Sequence, residues 1–255
     1  MDLPHRLAWS SKTGLAEENR NRLGRLRDRH RGERCFIMAN GPSLAKVDHA
    51  KLKGETTFGL NRIYLMADLM RVPPTYYVCI NELILDQFHH EIAQLTMPKF
   101  VNWNRRGYFI DTRQNAYFLR VRLGLRDAFW PNIKDPISSG GTVTYAALQI
   151  AYYMGFGQVI IVGLDHSYQT RGTPNRTTVR GAEQDLDHFD PDYFPKGTKW
   201  QPPDLLRSEL AYALARQAYE SASRQVVDAT LGGKCDVFER SNLDELFERN
   251  GEGGW

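Results

Sequence analysis

No apolar run in this chain reaches the length needed to cross a bilayer. Its start, Met1-Asp2-Leu3-Pro4-His5-Arg6, lacks the apolar stretch of a secretory signal, so the expectation is a cytoplasmic protein. Cysteine is scarce. Cys35, Cys79 and Cys235 are the only three, an odd count without a C-x-x-C, which excludes a disulfide framework and zinc-type spacing. Cys35 and Cys79 fall in predicted strands and read as small buried thiols. Charge of one sign is also lacking. Against 33 Lys and Arg stand 30 Asp and Glu, and a net +3 gives no global electrostatic case for nucleic acid. There is no G-x-x-x-x-G-K-[ST], because Gly232-Gly233-Lys234 lacks the preceding pattern and the hydroxyl. No G-x-S-x-G occurs. Gly155-Phe156-Gly157 precedes a predicted strand rather than following one, so it is not a dinucleotide fingerprint. No internal repeat or low-complexity tract is present.

What is present is a 255-residue chain, 42% hydrophobic and 25% charged, the size and composition of one large soluble domain with small appendages. Apolar runs of strand length cover residues 35–39, 56–60, 75–80, 99–103, 159–162, 225–229 and 235–238. Helical patterns cover residues 63–70, 82–95, 142–154, 204–221 and 242–247, with Leu206, Leu210, Ala213, Leu214 and Ala218 predicted as the inner side of the fourth. Between them, residues 104–132 read as an irregular insertion with one helix near 112–123. The continuous Val159-Ile160-Ile161-Val162 is what a central parallel strand requires. Strands alternating with helices predict an α/β fold, a doubly wound, mostly parallel sheet with helices on both faces. Residues 1–33 form a basic N-terminal arm, crowded with Arg20, Arg22, Arg25, Arg27, Arg29 and Arg31. Its simple reading is a solvated helix and its sharper one a surface for anionic lipid. Residues 34–248 form the domain, residues 166–203 a long polar lid, and residues 249–255 a loose tail.

Ligands bind such sheets at the carboxyl ends of the strands. The first strand stops at Asn40-Gly41-Pro42-Ser43, a loop expected to offer free N–H groups to a phosphate, with Ser43 capping the next helix. Asn61, Asn81 and Asp165 end other strands. Asparagine donates and accepts at once, which suits ribose hydroxyls and base edges, although each alone also serves as a structural cap. Ser138-Ser139-Gly140-Gly141-Thr142 opens the helix at 142–154 and reads as a second anion cradle or a simple N-cap. The lid holds His166, Tyr168, His188, Tyr193 and Lys196. His188, among carboxylates in Asp187-His188-Phe189-Asp190-Pro191-Asp192-Tyr193, is a candidate general base. Asp185-x-Asp187 and Asp190-x-Asp192 match a metal-binding D-x-D only weakly, since neither follows an apolar strand.

In this order, Asn40-Gly41-Pro42-Ser43-Leu44, Asn61, the Ser138–Gly141 helix start and Val159–Asp165 resemble the bacterial sialyltransferases of glycosyltransferase family 42. The chain resembles still more the "domain of unknown function 115" group, which includes the motility-associated flagellin glycosyltransferases and 6-hydroxymethylpterin diphosphokinases. The likeness covers about residues 34–247. It implies a single Rossmann-like domain that takes a CMP-activated nonulosonic acid donor and a glycan or glycolipid acceptor, inverts, and requires no cofactor. By the same resemblance, Asn40, Gly41, Pro42 and Ser43 would face the nucleotide and its phosphate. Asn61 and Asn81 would touch nucleotide or sugar, and Ser138, Ser139 and Gly140 would hold a carboxylate or the cytidine. Asp165 would lie in the same donor site. His188 would activate the acceptor, with Tyr168 or Tyr193 assisting the departing phosphate. The family's Asp-Phe-Tyr stands here as Asp165-His166-Ser167-Tyr168, one residue longer. The alternatives are an ATP- and magnesium-dependent diphosphokinase and a non-catalytic nucleotide-binding protein. Peripheral contact with the inner membrane through the arm, and homo-oligomerisation, stay open.

Overall fold

The computed structural model describes residues 2–70, 72–122, 126–169 and 172–248. Its strands are β1 (Arg34–Met38), β2 (Thr56–Leu60), β3 (Tyr76–Cys79), β4 (Lys99–Asn102), β5 (Ala116–Leu119), β6 (Gln158–Val162), β7 (Thr178–Val179), β8 (Lys199–Trp200), β9 (Gln225–Asp228) and β10 (Glu239–Arg240). Its helices are α1 (Leu3–Ser10), α2 (Gly14–Gly24), α3 (Glu82–Gln94), α4 (Val143–Met154), α5 (Leu205–Ser221) and α6 (Leu243–Glu248). Eight strands form one sheet in the order β10-β9-β6-β1-β2-β3-β4-β5, every pairing parallel. From β1 the chain winds outward to β5, then returns through α4 to β6 on the other side of β1. Order therefore reverses between β1 and β6, and the crevice at that switch point is where such sheets take ligands.

The strands are apolar because both faces are covered. α4 crosses β1, β2 and β3, with α5 beside it and against β9. Phe247 of α6 stacks on Phe36 of β1, ring centroids 5.6 Å apart. Cys35, Cys79 and Cys235 are all free and buried. Burial pushes the Cys79 thiol up to about 12. The result is a single Rossmann-like α/β domain.

Several expectations need correction. Residues 112–122 are not a helix. They contain β5, which continues the sheet beside β4 from Lys99↔Ala116 to Asn102↔Leu119; residue 123 lies outside the described residues. The segment before Arg34 is no solvated arm, because α2 closes the open edge of β5. Asn19 Nδ2 donates to the Phe118 carbonyl and the Phe118 N–H donates to Asn19 Oδ1, both at 2.9 Å. The Arg22 guanidinium donates to the carbonyls of Ala116 (3.0 Å) and Gln114 (2.6 Å). An edge strand with unpaired amides invites mispairing, and here side chains substitute for a ninth strand. α1 docks alongside, Trp9 meeting Trp103 edge-on at 5.2 Å. Arg25, Arg27, Arg29 and Arg31 remain exposed, ahead of β1 and away from the crevice.

The short strand expected at 235–238 lies instead at Glu239–Arg240, paired with β9. The helical pattern at 63–70 is a short 3₁₀ turn, Ile63–Met66. The inner side of α5 is not the leucine face. Leu206 and Leu210 are 68% and 62% exposed, whereas Ser208, Ala211, Tyr212, Ala215 and Tyr219 are buried. Small residues let α5 approach α4, and the tyrosine hydroxyls find partners there: Tyr219 donates to the Leu148 carbonyl at 2.8 Å, and Tyr212 meets Thr142 Oγ1 at 3.2 Å. The lid is mostly irregular, pinned by the β7–β8 antiparallel pair. The tail expected to be loose lies outside the described residues.

Candidate functional site

A cleft of about 620 Å³ opens over the carboxyl ends of the central strands, roofed by the lid. Asn40, Gly41, Asn61, Asn81, Ser139, Asp165, Tyr168, His188 and Tyr193 line it. Pro42, Ser43, Ser138 and Gly140 do not line it; they stand behind the wall. The expected segments, distant in sequence, thus converge on one rim.

The two glycine loops do not present their amides as expected. In the first, the Gly41 N–H donates to the Gly163 carbonyl at 2.9 Å. The Ser43 N–H and Oγ–H donate to the Asp165 carboxylate at 3.1 and 2.6 Å. Ser43 caps no helix, and Pro42–Lys46 is a short 3₁₀ turn. The anion this loop binds is the chain's own Asp165. A Cβ at position 41 would lie 2.0 Å from Asp165 Oδ2 and 2.7 Å from the Gly163 carbonyl oxygen, so only glycine fits. The second loop repeats the arrangement. The Gly140 N–H donates to Asp127 Oδ1 at 3.2 Å, and Arg207 clamps the same carboxylate at 2.7 and 3.1 Å. Ser138 Oγ accepts from the Ala128 N–H, and Ser139 Oγ accepts from Arg207 at 3.3 Å. Gly140, at φ +57°, has Tyr145 and Ala211 where a side chain would go.

The asparagines behave differently from one another. Asn81 caps α3, its Oδ1 accepting from the Leu83 and Ile84 N–H groups. Asn102, which sequence reasoning missed by drawing β4 one residue too long, is also internally bonded: Nδ2 donates to the Ile80 carbonyl and Oδ1 accepts from the Asn104 N–H, both at 3.0 Å. Asn40 and Asn61 are the exceptions. Their Oδ1 atoms are buried with no hydrogen-bond partner among the described residues. Asn40 is only 9% exposed. They follow the paired strands β1 and β2 and line the cleft. Asn61 holds φ +46°, a left-handed turn that asparagine tolerates better than most residues. Buried amide oxygens without partners are uncommon, and here both belong to residues that line the cleft.

On the lid, His188 Nδ1 lies 3.0 Å from both oxygens of Asp185, and its ring stacks flat on Tyr193 at 4.0 Å. Nε2 is left without a partner among the described residues. Burial works to raise the Asp185 pKa, but His188, the Asp187 N–H and nearby Arg180 outweigh it and hold the carboxyl below its ordinary value. The Tyr193 hydroxyl is interior and accepts the Arg62 N–H at 3.2 Å, so this residue shapes the seat of the imidazole. Arg62, also missed from sequence, is buried, lies 3.9 Å over the Phe88 ring, and donates to the Tyr193 carbonyl, fastening lid to sheet. Tyr168 is 39% exposed and edge-on to His188 at 6.4 Å. Loss of hydration around its hydroxyl, then the charges of Asp187, Asp165 and Asp185, push its pKa up to about 12.

The far lip is an ion-paired cluster. Arg105 holds Asp86 at 2.5 and 2.9 Å and Glu82 at 3.0 Å. The D-x-D acids do not converge on open space: Asp185 faces His188, Asp187 Oδ1 accepts the Gln169 N–H, and Asp190 Oδ1 accepts the Asp192 N–H. Among the described residues no group of three or more His, Cys, Asp or Glu could hold a metal ion.

No family model matches the sequence, and no curated protein matches it. Among solved structures, the chain is similar to the MAf glycosyltransferase from Magnetospirillum magneticum AMB-1, at 14% identity and a TM-score of 0.53. The likeness covers 92% of this chain but 39% of that one, so the chain spans well under half the length of this neighbour. At that identity the likeness is one of fold, and it is this doubly wound sheet that the two share. Among the described residues, no helix is long and apolar enough to cross a membrane.

Proposed function

We propose that this chain is an inverting glycosyltransferase that takes a CMP-activated nonulosonic acid and transfers the sugar to a glycan or glycolipid hydroxyl. The observation that carries the reading is a lid imidazole, backed by a buried carboxylate, lining one cleft together with two strand-end asparagines whose Oδ1 atoms lack partners among the described residues. A base is needed to deprotonate the acceptor for attack with inversion, and His188, which lines the cleft with Asn40 and Asn61, supports that role. Asp185 holds the Nδ1 proton, which leaves Nε2 as the acceptor of a proton. The amides of Asn40 and Asn61 each offer a donor and an acceptor, the pattern that ribose hydroxyls and a cytosine edge require. The neighbour of like fold is a glycosyltransferase, which favours this chemistry over other uses of the sheet. The Tyr168 phenol, protonated at neutral pH, is a donor for a departing phosphate.

Calorimetric titration tests the reading. CMP is expected to bind without added metal, and Asn40→Ala to weaken it roughly three- to tenfold, the value of one net hydrogen bond. Binding of ATP only with magnesium, and no heat from CMP, would replace this reading with the diphosphokinase. Under the glycosyltransferase reading His188→Ala keeps CMP affinity and lowers transfer by about 10²-fold or more. Unchanged transfer would leave a nucleotide-binding protein with no catalytic lid.

A further inference from the structure

The cleft contains a second imidazole–carboxylate pair. His166 lines it, and its Nε2 lies 2.8 Å from Glu209 Oε1 of α5. The His166 side chain is only 6% exposed. With Nε2 taken, Nδ1 has no partner among the described residues. The backbone sits at φ +53°, an uncommon conformation for a non-glycine residue, which persists only where the surroundings impose it. They do so here. The preceding Asp165 is clasped by Ser43, and its carbonyl accepts the Lys234 N–H at 2.9 Å.

The position matters because, among the described residues, the two arginines that line the cleft are both ion-paired. Arg105 is held by Asp86 and Glu82, and Arg207 by Asp127. Among the described residues, the groups set against His166 are Glu209 at hydrogen-bond distance and the Tyr212 ring at 6.3 Å, both of α5, with Asp165 preceding it in the chain and Tyr168 and His188 lining the same cleft. None of these brings a permanent positive charge to a leaving phosphate. His188 lies well inside the lid, whereas His166 is its first residue, just beyond the end of β6 and beside the switch point.

We propose that His166, oriented by Glu209, is the general acid of this site. As the bond between the anomeric carbon and the phosphate oxygen breaks, its electron pair passes to that oxygen. The Nδ1 proton of the His166 imidazolium then goes to the departing phosphate. The acceptor oxygen bonds to the anomeric carbon and gives its proton to His188 Nε2. One proton leaves His166 and one arrives at His188, and exchange with water resets both. Glu209 is a positioning residue: its carboxylate holds Nε2 and aims the ring. This step rests on the glycosyltransferase reading above.

The test uses His166→Asn, which tolerates the left-handed backbone, and Glu209→Gln, with CMP-nonulosonate turnover followed across pH. His166→Asn is expected to lower kcat about 10²-fold with KM within about threefold, and to abolish the alkaline fall of the pH–rate profile. Glu209→Gln is expected to lower kcat less than His166→Asn does and to change the same alkaline limb. If wild type turns over the donor and His166→Asn keeps its rate, or the alkaline limb is unchanged in both variants, the acid assignment is overturned alone. If wild type neither binds CMP nor turns over the donor, the glycosyltransferase reading fails and takes this proposal with it. Should His166→Asn not fold, the profile of Glu209→Gln decides.

Discussion

Gly41→Ala separates a loop that clasps its own carboxylate from one that awaits a phosphate. The added Cβ would lie 2.0 Å from Asp165 Oδ2 and 2.6 Å from its Cγ, with the Gly163 carbonyl oxygen at 2.7 Å on the other flank. The chain has two ways to relieve this. Asp165 can swing out, which breaks the Ser43 N–H and O–H bonds to a charged acceptor at a cost of roughly 1.5–3 kcal/mol. Or the end of β6 can retreat, an overpacking cost of about 1–3 kcal/mol. Because the carbonyl crowds the second flank, moving the carboxylate alone does not suffice, and the expected loss is about 2–3 kcal/mol. The assay is urea unfolding of the ligand-free protein at neutral pH, comparing midpoints at constant slope. Asp165→Ala removes the same clasp, so the double variant should lose less than the two singles added, with a coupling of at least about 0.5 kcal/mol. A phosphate loop makes the opposite forecast: Gly41→Ala would leave ligand-free stability intact and weaken only nucleotide binding. Gly41→Ala within about 0.5 kcal/mol of wild type, or strict additivity with Asp165→Ala, would refute the clasp.

Two further outcomes are set by buried contacts. Asn19→Ala strips both bonds from the Phe118 backbone on the open edge of β5 and should cost about 1–3 kcal/mol, with faster amide exchange at Phe118 by mass spectrometry; unchanged exchange would mean another group closes that edge. Asp185→Asn tests the lid dyad through acid. The folded Asp185 pKa lies below its ordinary 3.8, so its stabilisation is present above the unfolded value and is lost as pH falls through the folded one. The stability gap between wild type and Asp185→Asn should therefore be flat from neutral pH down to about 5 and close below about 4, whereas a gap that persists in strong acid would show that the carboxylate charge is not what holds His188.

How much of this was legible in the sequence depended on whether the signal was local. β2 and the α4 helix with its glycine stop read directly, since continuous apolar runs and a 3.6-residue period are properties of the segment itself. β5 did not read. Its four residues sit among aromatic and basic neighbours, and what makes them a strand is β4 on one side and an asparagine side chain 99 residues earlier on the other. Leu206 and Leu210 of α5 have helical spacing and still point outward. The inner face was decided by α4, which admits small residues and tyrosines whose hydroxyls it can bond, a choice that hydropathy alone does not encode. The convergence of Asn40, Asn61, Ser139 and Asp165 on one rim was legible because a parallel sheet puts all its strand ends on one side. His166 was visible as a residue but not as a participant, because its partner Glu209 lies one helix away.

The loops carry a further argument about how such a rim is made. Each glycine turn looks in sequence like a cradle for a ligand anion, and each already contains one from the chain, Asp165 in the first and Asp127 in the second. An internal carboxylate holds the turn in one geometry before any ligand arrives, so no loop ordering is needed on binding. It also removes those amides from ligand recognition. Among the described residues, the polar side chains that line the cleft include the amides of Asn40 and Asn61 at the ends of β1 and β2, the hydroxyl of Ser139, the Tyr168 phenol and the His166 and His188 imidazoles. Under the glycosyltransferase reading, discrimination at this cleft rests on the hydrogen-bond pattern of Asn40 and Asn61. Charge enters where the imidazoles stand, and an imidazole can lose its charge within a catalytic cycle, as a guanidinium cannot.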